Sequence, residues 1–93
     1  MIEIKHVKDD PKGYFSASVN GKTAGSLTYT TAGETRIIID HTEVDKKFLK
    51  QGIGKKLVMN VVEYAKLNNL KIIPLCSFAK SVFEKNESIR DVL

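Results

Sequence analysis

The chain has 93 residues, 15 of them basic and 11 acidic, which gives a formal net charge of +4. That length supports one core and one domain spanning residues 1–93, and a composition of 42% hydrophobic and 28% charged residues excludes disorder and collagen. No apolar run approaches the roughly 18 residues of a membrane span, and the start MIEIKHVKDD lacks the apolar stretch and cleavage site of a secretory signal.

The single Cys76 forms no internal disulfide, which suits a reducing compartment, and a cytoplasmic location is expected. The basic excess points to an anionic partner. No His, Cys, Asp and Glu grouping has metal-ligand spacing, so no metal site is expected.

Ile2, Ile4 and Val7 predict a short first strand, ended by a turn over Asp9-Asp10-Pro11-Lys12-Gly13. His6, near the end of that strand, reads as a surface residue. Phe15, Ala17 and Val19 alternate with polar neighbours, the period of a half-buried strand. Asn20-Gly21 suits a two-residue hairpin turn. Lys22 to Thr30 then return as the partner strand, and Thr31-Ala32-Gly33-Glu34 read as the next turn. Arg36 to Val44 is a fourth strand, whose three consecutive isoleucines predict burial on both faces.

The period changes after Gly54. Leu57, Val58, Val61, Val62 and Ala65 form a stripe at helical spacing, which predicts a helix over Gly54 to Leu67 with its stop at Asn68-Asn69. Lys71 to Leu75 is a short strand, parallel to the fourth because a helix connects them, and Pro74 limits it or places it at an edge. A last helix covers about Phe78 to Asn86, capped by Ser77. The order β-β-β-β-α-β-α defines an α+β fold, a mixed but mainly antiparallel sheet with two helices.

The segment from Val44 to Lys56 carries the chemistry. Its glycines, Gly52 and Gly54, allow close backbone approach, and the N–H groups opening the next helix lack intrahelical partners. Together with Lys46, Lys47, Lys50, Lys55 and Lys56 they suit a phosphate or pyrophosphate. A solvated lysine face beside a glycine loop is the plainer alternative. A dinucleotide fold is disfavoured because its fingerprint follows a first parallel strand, and a P-loop because no Gly-Lys-Ser/Thr follows at its spacing.

The run Val44…Gln51-Gly52-Ile53-Gly54…Leu57-Val58 resembles the acetyl-CoA motif of the Gcn5-related N-acetyltransferases. His41-Thr42-Glu43-Val44, Pro74-Leu75-Cys76 and Phe78-Ala79 with Phe83 resemble the small single-domain branch of that superfamily. The resemblance implies acetyl-CoA, or coenzyme A, as the ligand. Backbone from Lys50, Gln51, Gly52, Ile53, Gly54, Lys55 and Lys56 would hold its pyrophosphate, and Glu43 and Val44 backbone would pair with the pantetheine arm. It also implies transfer of the acetyl group to an amine acceptor, a small molecule or a protein, whose identity the sequence does not reveal.

Departures from the family pattern are specific. Leu49 stands where Arg or Gln is usual, Lys50 replaces a frequent Gly, and Phe83 occupies the position of a proton-donating Tyr. Two helices of larger members are missing after the first strand. Within this frame Cys76 is a candidate nucleophile for the acetyl group, set against a buried cysteine that packs like a small hydrophobe. His41 and Glu43 share a strand face and are candidate proton acceptors, and His41 is also a candidate activator of Cys76 across the sheet. Two other readings stand beside acetyl transfer: a non-catalytic coenzyme A-binding module, and a small basic nucleic-acid-binding domain. The last ranks lowest, because the lysines gather at one loop instead of striping a sheet.

Overall fold

In the computed structural model, which describes residues 2–93, four antiparallel strands lead into a helix, a parallel fifth strand and a second helix. The strands are β1 (Ile2–Asp9), β2 (Lys12–Val19), β3 (Lys22–Ala32), β4 (Arg36–Val44) and β5 (Lys71–Pro74). They lie in the sheet in chain order, with β4 and β5 parallel. The helices are α1 (Ile53–Leu67) and α2 (Ser77–Lys85). Among the described residues no helix is long and apolar enough to cross a membrane.

Alternation fixes which face is covered. Phe15, Ala17, Leu27, Tyr29, Ile37 and Ile39 point to one side and are buried there against Ile53, Leu57, Val58, Val61 and Ala65 of α1. Removing the Phe, Leu, Ile and Val side chains among them from water contributes about 1.5–3 kcal/mol each. Among the described residues no helix covers the other face. Ile38, in the middle of the isoleucine run, is therefore only half-buried, not buried as its neighbours are.

The turns are tighter than the sequence implies. The β1–β2 turn is only Asp10-Pro11, so Lys12 and Gly13 already belong to β2. Thr31 and Ala32 extend β3 because they still pair with Ile37 and Arg36. Asn20 and Gly21 both take positive φ, 49° and 82°, as the hairpin turn requires. After α2 a 3₁₀ turn, Glu87–Val92, buries Ile89 and Val92 against the core; six residues are too few to show a period. His6 is not a surface residue. Its ring stacks on Phe15 at 4.0 Å, and Nε2 shares a 2.6 Å hydrogen bond with the Tyr29 hydroxyl.

Candidate active site

A bulge in β4 organises the site. Tyr29 pairs with Ile39 but Thr28 pairs with His41, so Asp40 is an extra residue in the ladder. Without it His41 and Glu43 would share the covered face of Ile37 and Ile39. The inserted residue inverts the alternation. His41 and Glu43 become exposed on the open face, and Thr42 and Val44 turn toward the helices.

Next to the bulge the sheet opens. The register of β5 with β4 ends at Ile39 opposite Pro74, followed by a last bond from the Leu75 N–H to the Ile39 carbonyl at 3.1 Å. β4 continues from Asp40 to Val44 without β5 beside it. The Asp45 N–H donates to the Ala24 carbonyl at 2.8 Å, which sets Val44 and Gly25 as a pair that exchanges no hydrogen bonds. The peptide groups of Val44 and, by alternation, Thr42 therefore face the cleft. Those of Glu43 face β3, so Thr42 holds the cleft-facing place expected of Glu43.

The loop after β4 leads to a bare helix end. The Asp45 carboxylate accepts from the Lys47 N–H at 2.9 Å and caps a 3₁₀ turn, Lys46–Phe48, and half-buried Phe48 packs on the core. Lys50 and Gly52 both adopt left-handed φ, 68° and 74°. Gly52 is the N-cap of α1, with no side-chain cap and no acid in the first turn. The first helical bond runs from the Lys56 N–H to the Gly52 carbonyl at 3.0 Å, so the N–H groups of Ile53, Gly54 and Lys55 have no intrahelical acceptor. Gln51 and Lys46, Lys47, Lys50, Lys55 and Lys56 are all exposed around this end.

Gly54 also makes room for a neighbour within the protein. A Cβ there would come within 2.6 Å of Phe78 Cζ, so the glycine admits the Phe78 ring beside α1. Val44, Phe48, Leu49, Ile53 and Phe78 line an apolar pocket of about 280 Å³ between the β4 edge and the helix end.

Cys76 lies across the cleft from Thr42, with Sγ 3.4 Å from Thr42 Oγ1. The sulfur also accepts the Ala79 N–H at 3.3 Å, so Cys76, and not Ser77, is the N-cap of α2. His41 does not reach Cys76, because the bulge points it to the opposite face. There it lines a groove of about 660 Å³ with Tyr14, Thr28 and Asp40. Phe83 is buried and carries no proton to donate. Thr42 and Asp40 are the site residues the sequence did not single out as actors; the only signal for Asp40 was a charge ending an isoleucine run.

A free strand edge beside a shorter parallel partner, joined to an uncapped helix N-terminus, leaves peptide groups and helix N–H groups open to a ligand. The chain belongs to the GCN5-related N-acetyltransferase family, whose model matches residues 14–92. It is 43% identical to a GCN5-like putative N-acetyltransferase of Staphylococcus aureus over 97% of this chain and 85% of that one, with a TM-score of 0.71. The fold is shared with the ribosomal-protein-alanine N-acetyltransferase of Brucella melitensis, with a TM-score of 0.72 at 18% identity over 83% of this chain. It is also shared with the ribosomal-protein-S18-alanine N-acetyltransferase of Escherichia coli, with a TM-score of 0.71 at 16% identity over 84% of this chain. The chain spans 62% and 53% of those two enzymes. Curated protein sequences give no match.

Proposed function

We propose that residues 1–93 form a minimal acetyltransferase domain that binds acetyl-CoA in the β4–β5 cleft and passes the acetyl group to an amine. The observation that carries this reading is continuity: the free β4 edge, the apolar pocket and the uncapped end of α1 follow one another without a break. The residues present fit such a ligand. The uncapped N–H groups of Ile53, Gly54 and Lys55 would take the pyrophosphate, with Lys50, Gln51 and Lys56 beside it. Val44 and Thr42 peptide groups would hold the pantetheine arm in strand-like fashion. When bound, acetyl-CoA supplies an acetyl group activated as a thioester.

His41, exposed on the open face beside the cleft, would take the proton of the amine, directly or through water, with Glu43 two residues along the same face. Cys76 offers a second route. Its sulfur faces the cleft with a hydroxyl and an N–H on it. It would take the acetyl group by exchange of one thioester for another, the Cys76 proton leaving with coenzyme A as its thiol, before the amine displaces the cysteine sulfur in turn. A reducing cytoplasm would keep that thiol free, and is the compartment this function fits.

Intact mass spectrometry after incubation with acetyl-CoA separates the routes. An adduct of one acetyl group on the wild type, absent from Cys76→Ala, supports the cysteine route. Amine acetylation without an adduct supports direct transfer with His41 as base. Neither adduct nor turnover against a broad amine panel, with binding intact, leaves a coenzyme A-binding module and removes the enzymatic reading.

A further inference from the structure

The open face of the sheet carries a groove that the acetyl-CoA site does not use. Val7 pairs with Tyr14, Tyr14 with Thr28, and Thr28 with His41, so these side chains form one row across four strands. The groove of about 660 Å³ lies along this row, a volume typical of small-molecule sites. Tyr14 and Val7 are exposed large apolar side chains on its floor.

The two ends differ in charge. At the β4 end lies Asp40, the bulge residue. Thr30 Oγ1 donates to its Oδ2 at 2.7 Å, which fixes the half-buried carboxylate and leaves Oδ1 to accept from a ligand. Among the described residues the one salt bridge joins Lys66 and Asp91, so Asp40 has no cationic partner there. At the β1–β2 end lie Lys8, Asp9 and Lys12. Lys8 is held toward the helices, with Nζ 5.7 Å from the Tyr64 ring. On the open face this end therefore carries Lys12 opposite Asp9 across β1–β2, with Lys12, in no salt bridge among the described residues, on the strand nearer Asp40. Adjacent strands are about 4.8 Å apart, which puts Asp40 and Lys12 on strands about 10 Å apart.

The geometry points to this groove as the acceptor site, and to a zwitterionic primary amine as its occupant: ammonium on Asp40, apolar stem over Thr28 and Tyr14, carboxylate toward Lys12. The ammonium would then lie next to His41 and the bulge, where β5 leaves β4 and the cleft meets the open face. The role as acceptor site rests on the acetyl-transfer reading. The existence of the pocket does not.

The test is a titration of ¹⁵N-labelled protein with 6-aminohexanoate, hexylamine and 1,6-diaminohexane, each with and without acetyl-CoA. The expected result is amide shifts in Tyr14, Thr28, Thr30, Asp40 and His41, with affinity falling from the first probe to the last. Asp40→Asn, which keeps the acceptor for Thr30, should weaken binding about tenfold, and Lys12→Gln should erase the preference for 6-aminohexanoate over hexylamine. Shifts elsewhere, or an Asp40→Asn variant that binds as the wild type does, overturn the site. Equal affinity for the three probes overturns the zwitterion. Groove shifts with no response to acetyl-CoA would leave the pocket and remove its role in acetyl transfer. A response to acetyl-CoA without groove shifts does the reverse.

Discussion

Thr42 Oγ1 and Cys76 Sγ meet at 3.4 Å although 34 residues separate them in the chain. The contact exists because the Asp40 bulge turns Thr42 toward the helices and because the chain leaves β5 at Leu75. It joins the free edge of β4 to the N-terminus of α2. The same sulfur caps that helix through the Ala79 N–H, so Cys76 has a structural duty whatever its chemistry. Cys76→Ala should therefore cost about 1 kcal/mol in urea unfolding, the usual loss for an N-cap, and Cys76→Ser should restore it. Both variants should lack any acetyl adduct. An alanine variant as stable as the wild type would remove the cap.

Gly54 and Gly13 both exclude a Cβ, with different consequences. At Gly54 the obstacle is the tip of Phe78, a side chain 40% exposed and free to swing outward. Gly54→Ala should thus cost less than about 1 kcal/mol in stability but should displace the ring that walls the pocket, weakening acetyl-CoA binding. At Gly13 the obstacle is the Tyr29 ring, which would stand 2.4 Å from an alanine Cβ and is buried at 2% exposure. Gly13→Ala should cost about 1–3 kcal/mol and break the His6–Tyr29 bond. Thermal unfolding of the two variants side by side checks the contrast.

The pH dependence follows from where His6 and Tyr29 sit. Burial, then the neighbouring Lys8 charge, lower the His6 pKa below the ordinary 6.5. The folded chain favours neutral His6, so its contribution to stability is full above 6.5. It falls as pH drops from 6.5 toward the depressed value, because the unfolded chain takes up the proton first. Burial, with Tyr64 and Asp10 nearby, pushes Tyr29 up to about 12, so its contribution is full below 10 and falls as pH rises from there to about 12. Melting temperatures at pH 7.5 and 5.5 should differ more in the wild type than in His6→Phe.

Strand and helix periods make most of the fold legible from the residues alone. The Asn20-Gly21 hairpin, the stripe from Leu57 to Ala65 and the parallel strand after it all lie where their patterns put them. The bulge is not legible, because a single inserted residue leaves Ile37, Ile39 and His41 in unbroken alternation and only the β3 register reveals the slip. That one residue decides which side chain meets Cys76. The packing at Gly54 is hidden for a related reason: its neighbour Phe78 comes from another helix. The turn that closes the core with Ile89 and Val92 has only six residues, too few to carry a period.

The most direct test of the acetyl-CoA cleft is a titration of ¹⁵N-labelled protein with acetyl-CoA, read residue by residue, on the wild type and Gly52→Val. Gly52 sits at φ 74°, which a β-branched side chain resists, so the variant should lose the loop geometry while the sheet resonances stay in place. Binding in the cleft predicts shifts concentrated at Thr42, Val44 and Gln51 to Lys56, with affinity reduced about tenfold or more in the variant. Shifts absent at millimolar acetyl-CoA, or spread over the open sheet face with the Val44 to Lys56 segment silent, would contradict it.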